Sequence, residues 1–177
     1  MYERRKNTLP SFTKKAIMET FLHLTEKKPL EKITIRDLVD ECGINRNTFY
    51  YYFQDIYAVL EEYCDLSINS LAQENSPQAL LCGLLRLSAD FSKAHPRAAK
   101  MLAFSLGHEG LDRYLGSRLQ PVLRECILKN TQNAPSTTLL HFLRHAVIGL
   151  CLDTMRAEKG SSDFEEELTQ LLQTFFG

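Results

Sequence analysis

Residues 33–53 read ITIRDLVDECGINRNTFYYYF, and every position from Phe49 to Phe53 is aromatic. A helix buries only one stripe of such a run, so some of these rings must face outward. The residues before the run say where the helix lies. Thr34 followed three residues later by Asp37 is a capping box that opens a helix running to Cys42. Gly43 supplies the left-handed residue that ends it. Asn45 is a good N-cap for a short helix over about Arg46 to Tyr52, and Asp55 caps a longer one carrying Ile56, Val59, Leu60 and Tyr63. Two short helices joined by CGIN have the arrangement of a helix-turn-helix, with Ile44 plugging the corner.

A preceding helix, from after Ser11 to about Glu26, repeats Ile17, Phe21 and Leu24 at i, i+4 and i+7. Leu38, Phe49 and Phe53 can meet Ile17 and Phe21, which makes a three-helix head. Its third helix then projects Arg46, Asn47 and Tyr50 outward, with Thr48 at the flank and Tyr51 oblique. These side chains read base edges or bind phosphates: Arg to guanine, Asn to adenine, Thr to either kind of edge, Tyr hydroxyl to phosphate. The competing reading is a solvated helix with surplus tyrosines on a purely structural unit.

The rest of the 177-residue chain reads as helical too, so the expected class is all-α with about nine helices. No alternating run bounded by hairpin turns is present; KITIRDL is β-branched for only three residues. Helices are expected over roughly 77–94, from the HPR at 95–97 to near Gly107, from Gly110 to about Lys129 with a bend at Pro121, from Thr137 to Glu158, and from Ser162 to Phe176. No apolar run approaches the roughly 18 residues a membrane helix needs, and MYERRKNTLPSF lacks the apolar stretch of a secretory signal. A cytoplasmic location with no membrane partner follows as the expectation. The five cysteines stand singly without a CxxC pair and read as small buried hydrophobes.

The net charge of −1 hides an asymmetry: residues 1–56 carry ten Lys or Arg against eight Asp or Glu, and residues 57–177 carry eleven against fourteen. Arg4, Arg5, Lys6, Lys14 and Lys15 face Glu3 alone within the first 18 residues. A basic head on an acidic body points to a polyanion near the N-terminus. Enzymatic chemistry finds no support. His141 and His145 share one helix face but lack the Glu of HExxH, and there is no Gly-rich phosphate loop or GxSxG. No metal or cofactor is expected.

The stretch Thr34 to Leu60 resembles the DNA-binding head of the TetR/AcrR family of bacterial transcriptional regulators. It fits T-[IV]-x-x-[IL]-x-x-x-x-G-[VI]-[SN]-x-[GN]-T-[FL]-Y-x-[HY]-F, and the likeness extends over residues 12–60. The resemblance implies a DNA-binding domain over 1–56 and an effector-binding and dimerisation domain over 57–177. It implies that Arg36 contacts phosphate or an outer base, and that Arg46, Asn47 and Thr48 face the major groove. Tyr50 and Tyr52 would clamp phosphates, and Phe49 and Phe53 would be core; Tyr51 is either a surface ring at the edge of the interface or a partner for the first helix. One departure stands out. The family commonly has a lysine three residues after the Phe53 position, where this chain has Ile56, so the salt dependence of binding should be shallower by about one unit of slope.

In the body, apolar residues occupy nearly every side of the long helix from Leu139 to Met155. The last helix carries Phe164, Leu168, Leu171 and Phe175 in one stripe, widened by Leu172. A second copy could cover both by an intermolecular four-helix bundle. That makes Leu143, Val147, Leu150 and the last-helix stripe the candidate dimer interface, with Gly149 permitting close approach. The resemblance agrees, and a two-fold homodimer would read a palindromic operator. It further implies a pocket for an unknown small-molecule effector, with Phe91, Met101, Phe104, Tyr114, Phe142 and His145 as candidate lining, beside Leu115 and Met155. A repressor is the expected role. The sequence VIGLCLDTM also resembles a subgroup that includes a coactivator, and a protein that works through a partner is the alternative.

Overall fold

The computed structural model describes residues 12–156, apart from 73 and 132, together with residue 170. Among them are eight α-helices and no strand. The expected last helix, with Phe164, Leu168, Leu171, Leu172 and Phe175, lies outside the described residues, as does the basic arm before Phe12.

α1 spans Phe12–Lys27 and turns its Ile17, Phe21 and Leu24 inward, as the i, i+4, i+7 spacing requires. A 3₁₀ turn over Leu30–Lys32 leads to α2, Ile35–Cys42. The capping box forms: Thr34 N donates to Asp37 Oδ2 at 2.8 Å, and Asp37 N donates to Thr34 Oγ1 at 3.2 Å. Gly43, at φ 70°, ends the helix in the left-handed region, where a side chain would be strained. α3 then runs Arg46–Tyr52 and α4 runs Ile56–Leu71. Their caps are those the sequence offers, with Asn45 accepting from Thr48 N and Asp55 from Ala58 N, each at 2.8 Å.

α5, Pro77–Ala94, begins behind Ser76 with Pro77 in its first turn, where a missing N–H costs nothing. α6 spans Pro96–Leu111 but is broken at Gly107, whose φ of 57° and ψ of −167° no helix contains. The seventh helix does not start at Gly110 as expected. The chain passes instead through a π turn, Asp112–Gly116, into α7, Ser117–Asn130. Pro121 falls in the second turn of α7, so the wider π turn lies immediately upstream of the missing N–H. Gly116 lets this turn press on α8, Thr137–Arg156, because a Cβ there would come 2.8 Å from Ile148 Cδ1 and closer still to the Asp112 carboxylate.

The buried side chains form one continuous cluster from Ile17 to Met155. α8 lies against α5 and α6, and α1 bridges the first three helices to α6. A polar clasp reinforces that bridge. Leu30 N donates to Ser105 Oγ at 3.2 Å, and that hydroxyl donates to Glu31 Oε2 at 3.2 Å. Across the molecule, Arg118 on α7 pairs with Asp65 and, at 3.2 Å, with Glu61, both on α4. The clasp thus ties the 3₁₀ turn to α6, and Arg118 ties α4 to α7.

Candidate nucleic-acid interface and body pocket

The five rings of α3 and its cap divide by helical phase. Phe49 and Phe53 are buried, their centroids 6.0 Å apart, and root the helix in the core. Burying two such rings fixes which face the helix must present to solvent. Tyr50 is 54% exposed and Tyr51 81% exposed on that outward side. Arg46 and Asn47 are exposed with them. Tyr52 is half-buried against the core, its ring edge-on to Tyr51 at 4.9 Å. The most outward ring is thus Tyr51, whereas Tyr52 is largely a packing residue. Seven residues from Arg46 turn through almost two helical turns, and Tyr52 falls back towards the Phe49 side.

Thr48 is half-buried and its hydroxyl donates to Asn45 Oδ1 at 3.1 Å, sharing that oxygen with its own backbone N–H. The hydroxyl is therefore engaged in the cap, and its methyl group is what it can offer elsewhere. Arg36, on α2, is exposed and lies 3.5 Å from the equally exposed Asp40, a pairing that water and salt screen heavily. At the start of α2, Lys28 Nζ approaches Asp37 Oδ2 to 2.6 Å. The lysine and the Thr34 hydroxyl hold the Asp37 carboxyl well below the usual carboxylate range.

Ile56 explains the departure noted in the sequence. It is buried at the first position of α4 and faces Leu30, Ile33 and Ile35 around the 3₁₀ turn. This chain uses the position to seat α4 on the head, where a lysine would have to leave the core to reach water.

In the body, a pocket of about 120 Å³ opens between α1, α4, α5, α6 and α8. Of the six residues proposed from the sequence, Phe91 lines it, as do Leu115 and Met155. Met101, Phe104, Tyr114, Phe142 and His145 do not. Phe104 is 77% and Phe142 52% exposed on the outer faces of α6 and α8. Tyr114 instead stacks on Tyr57 of α4, with centroids 6.2 Å apart and planes at 6°. The pocket walls that the sequence did not reveal are on α1 and α4, including Phe21, Leu60 and Cys64. Their i, i+4 spacing signalled burial but not that a void lies beside them. All five cysteines are unpaired; Cys42 is half-buried and the others are buried, with burial pushing the Cys64 thiol up to about 12.

Helix α8 has two unlike sides. Leu143 and Val147 are buried in the chain's own core with Leu150 half-buried against it, while Phe142 and Gly149, seven residues apart, share the other side. A Cβ on Gly149 would meet nothing within 4 Å among the described residues. His145 stacks on His108 at 5.2 Å and meets His141 edge-on at 6.2 Å. No group of three or more His, Cys, Asp or Glu among the described residues is arranged to hold a metal ion. Arg144 Nε lies 3.0 Å from Asp112 Oδ1, an ion pair that fastens α8 to the π turn. Among the described residues no helix is long and apolar enough to cross a membrane.

Comparison with known proteins agrees with this geometry. The family described as bacterial regulatory proteins, tetR family, matches residues 17–63, from the first helix into α4. The HTH-type transcriptional regulator EthR of Mycobacterium tuberculosis is 43% identical over 54 residues, 30% of this chain and 25% of that protein. The chain thus aligns with only a quarter of that relative's length. Whole-chain similarity comes from solved structures. The dihydroxyacetone kinase operon activator DhaS superposes with a TM-score of 0.64 at 19% identity, over 93% of this chain and 96% of that one. The fatty acid degradation regulator FadR from Bacillus halodurans gives 0.62 at 13% identity, over 94% and 96%. A TetR transcriptional regulator from Rhodococcus sp. RHA1 gives 0.60 at 15%, over 92% and 94%. At these identities the superpositions speak for the fold, and the matched head speaks for descent. Residues 17–63 thus match the TetR family of bacterial regulatory proteins, and the whole chain shares the fold of the three solved structures.

Proposed function

We propose that this protein is a sequence-specific DNA-binding transcriptional regulator, acting as a repressor, in which residues 1–56 read the operator and residues 57–177 dimerise and sense a small-molecule effector. The observation that carries the reading is the division of rings on α3. Phe49 and Phe53 anchor the helix, and the same anchoring turns Arg46, Asn47, Tyr50 and Tyr51 to solvent. Arginine and asparagine read base edges, and tyrosine hydroxyls bind phosphate. Thr48 contributes a methyl, and Tyr52 holds Tyr51 in place by its edge-on contact. Arg36 stands at the start of α2 as a phosphate contact.

A homodimer is supported by the outer side of α8, where Phe142 presents apolar surface and Gly149, on the same face, leaves room for a second backbone. Two recognition helices about 34–36 Å apart would then fit a palindrome. The pocket supports the effector role because Phe21 and Leu60 belong both to its wall and to the core that holds the head. An occupant that favours one arrangement of α1 and α4 shifts the population of head spacings, and so the fit to both half-sites.

Random-site selection with the purified full chain tests the reading. Enrichment of an inverted repeat is expected. A folded protein that enriches no sequence would overturn it in favour of a regulator acting through a protein partner.

A further inference from the structure

The chemistry of the body pocket narrows what it can hold. None of the described residues lining it carries a charge. The polar side chains among these described residues are Tyr63, Cys64, Ser67 and Ser88, set among leucines, phenylalanines and Met155. Both serines already commit their protons within their own helices. Ser67 Oγ donates to Tyr63 O at 2.9 Å, and Ser88 Oγ donates to Leu84 O at 3.0 Å. What each has left is oxygen lone pairs, so these two side chains can accept a hydrogen bond but not donate one. The remaining polar groups stay neutral, since burial pushes the Cys64 thiol up to about 12 and raises the Tyr63 phenol as well.

We infer that this pocket takes a compact, uncharged, hydrocarbon-dominated ligand, a single ring with at most one hydroxyl donor, and rejects its carboxylate analogue. The inference rests on the reading of this pocket as the effector site and adds the ligand's class. Size sets the first limit. About 120 Å³ is close to an engineered apolar cavity of roughly 150 Å³ that holds benzene. Charge sets the second. A carboxylate would leave water for a wall whose described residues include no cation and whose two serine protons are already engaged. A ligand hydroxyl, by contrast, can donate to Ser67 or Ser88, on α4 and α5.

Three probes of nearly one shape separate these effects: toluene, p-cresol and p-toluate, the last ionised at neutral pH and the cresol not. With the full chain at pH 7, toluene and p-cresol should raise the melting temperature and give saturable calorimetric titrations, while p-toluate at equal concentration gives neither. The cresol should bind about threefold to tenfold more tightly than toluene, the worth of one neutral hydrogen bond. The double substitution Ser67→Ala with Ser88→Ala should erase that preference and leave toluene binding unchanged. Leu84→Phe, which fills the void, should abolish binding of both, and the serine variant decides alone if this one does not fold. Failure of toluene to bind, p-toluate binding as tightly as toluene, or a cresol preference that survives loss of both serines would overturn the inference. Operator affinity measured on the same samples keeps the two readings apart. Probes that bind without altering it leave the pocket's chemistry standing and remove its role as the effector site.

Discussion

The head and the body both expose aromatic rings, but of different kinds. On α3 the exposed rings are tyrosines, Tyr50 and Tyr51, each with a hydroxyl that water or phosphate can satisfy. On α6 and α8 they are phenylalanines, Phe104 and Phe142, which have nothing to offer water. Isolated exposed apolar residues are ordinary, but Phe142 shares one face of α8 with Gly149, where an added Cβ meets nothing within 4 Å among the described residues, a surface that another protein surface can cover. In the proposed function the exposed rings of α3 serve a polyanion interface and the exposed ring of α8 a protein interface. The hydroxyl is what separates them.

The strongest way to break this comparison is to charge the bare surface. Phe142→Asp with Gly149→Asp should yield monomers in sedimentation velocity, and operator affinity should fall by about 10²-fold or more as bivalency is lost. Dimers that persist would move the interface off this side of α8. Next comes the root of the head. Phe49→Ala removes a fully buried ring and should cost about 3–5 kcal/mol in urea unfolding, taking operator binding with it.

The outward surface should behave in the opposite manner. Arg46→Ala should leave the unfolding midpoint unchanged and weaken operator binding by about 1–3 kcal/mol, with relaxed preference at one base pair. An equal loss on every sequence would make Arg46 a phosphate contact instead. A smaller effect is expected from deleting residues 1–10, which removes Arg4, Arg5 and Lys6. Operator binding should weaken at low salt, with the slope of log affinity against log salt falling by about 0.9 for each phosphate that the arm no longer neutralises. Unchanged affinity would confine the DNA contacts to the folded head.

The smallest effect concerns the capping box. The Asp37 carboxyl is held below its unfolded value of about 3.9 by Lys28 and Thr34, so its contribution is present above that pH. It is lost progressively as the pH falls below about 4, where the unfolded chain takes up the proton first. The melting temperature of Asp37→Asn should therefore trail the parent protein slightly at pH 7 and meet it at low pH. A gap that widens on acidification would contradict the pairing.

Much of the head was legible because its signals are local. Thr34 with Asp37, Gly43, Asn45 and Asp55 each act on backbone groups within three or four residues, so a short window of sequence carries their whole meaning. The same holds for the start of α5 behind Ser76 and Pro77, and for the break at Gly107. The body was less legible for a geometric reason. Helical spacing shows that Met101, Phe104 and Phe142 lie on apolar stripes, but not whether a stripe faces a neighbour, a void or solvent. That depends on how α6 and α8 are rotated about their axes when they pack. The π turn at Asp112–Gly116 adds to the difficulty, because it shifts the phase of everything that follows.

The aromatic run therefore has two sources of meaning. By itself the sequence determined the helix-turn-helix, its caps and its glycine, because these depend on bonds between near neighbours. It also determined that Phe49 and Phe53 go inward, since residues four apart share one helix face. Only the tertiary structure decided that Ile56 seats α4 on the head, and that the pocket is walled by Phe21 and Leu60 as well as Phe91. Those outcomes depend on which surfaces distant helices bring together, and burial is settled by the whole packing of the chain rather than by any segment of it.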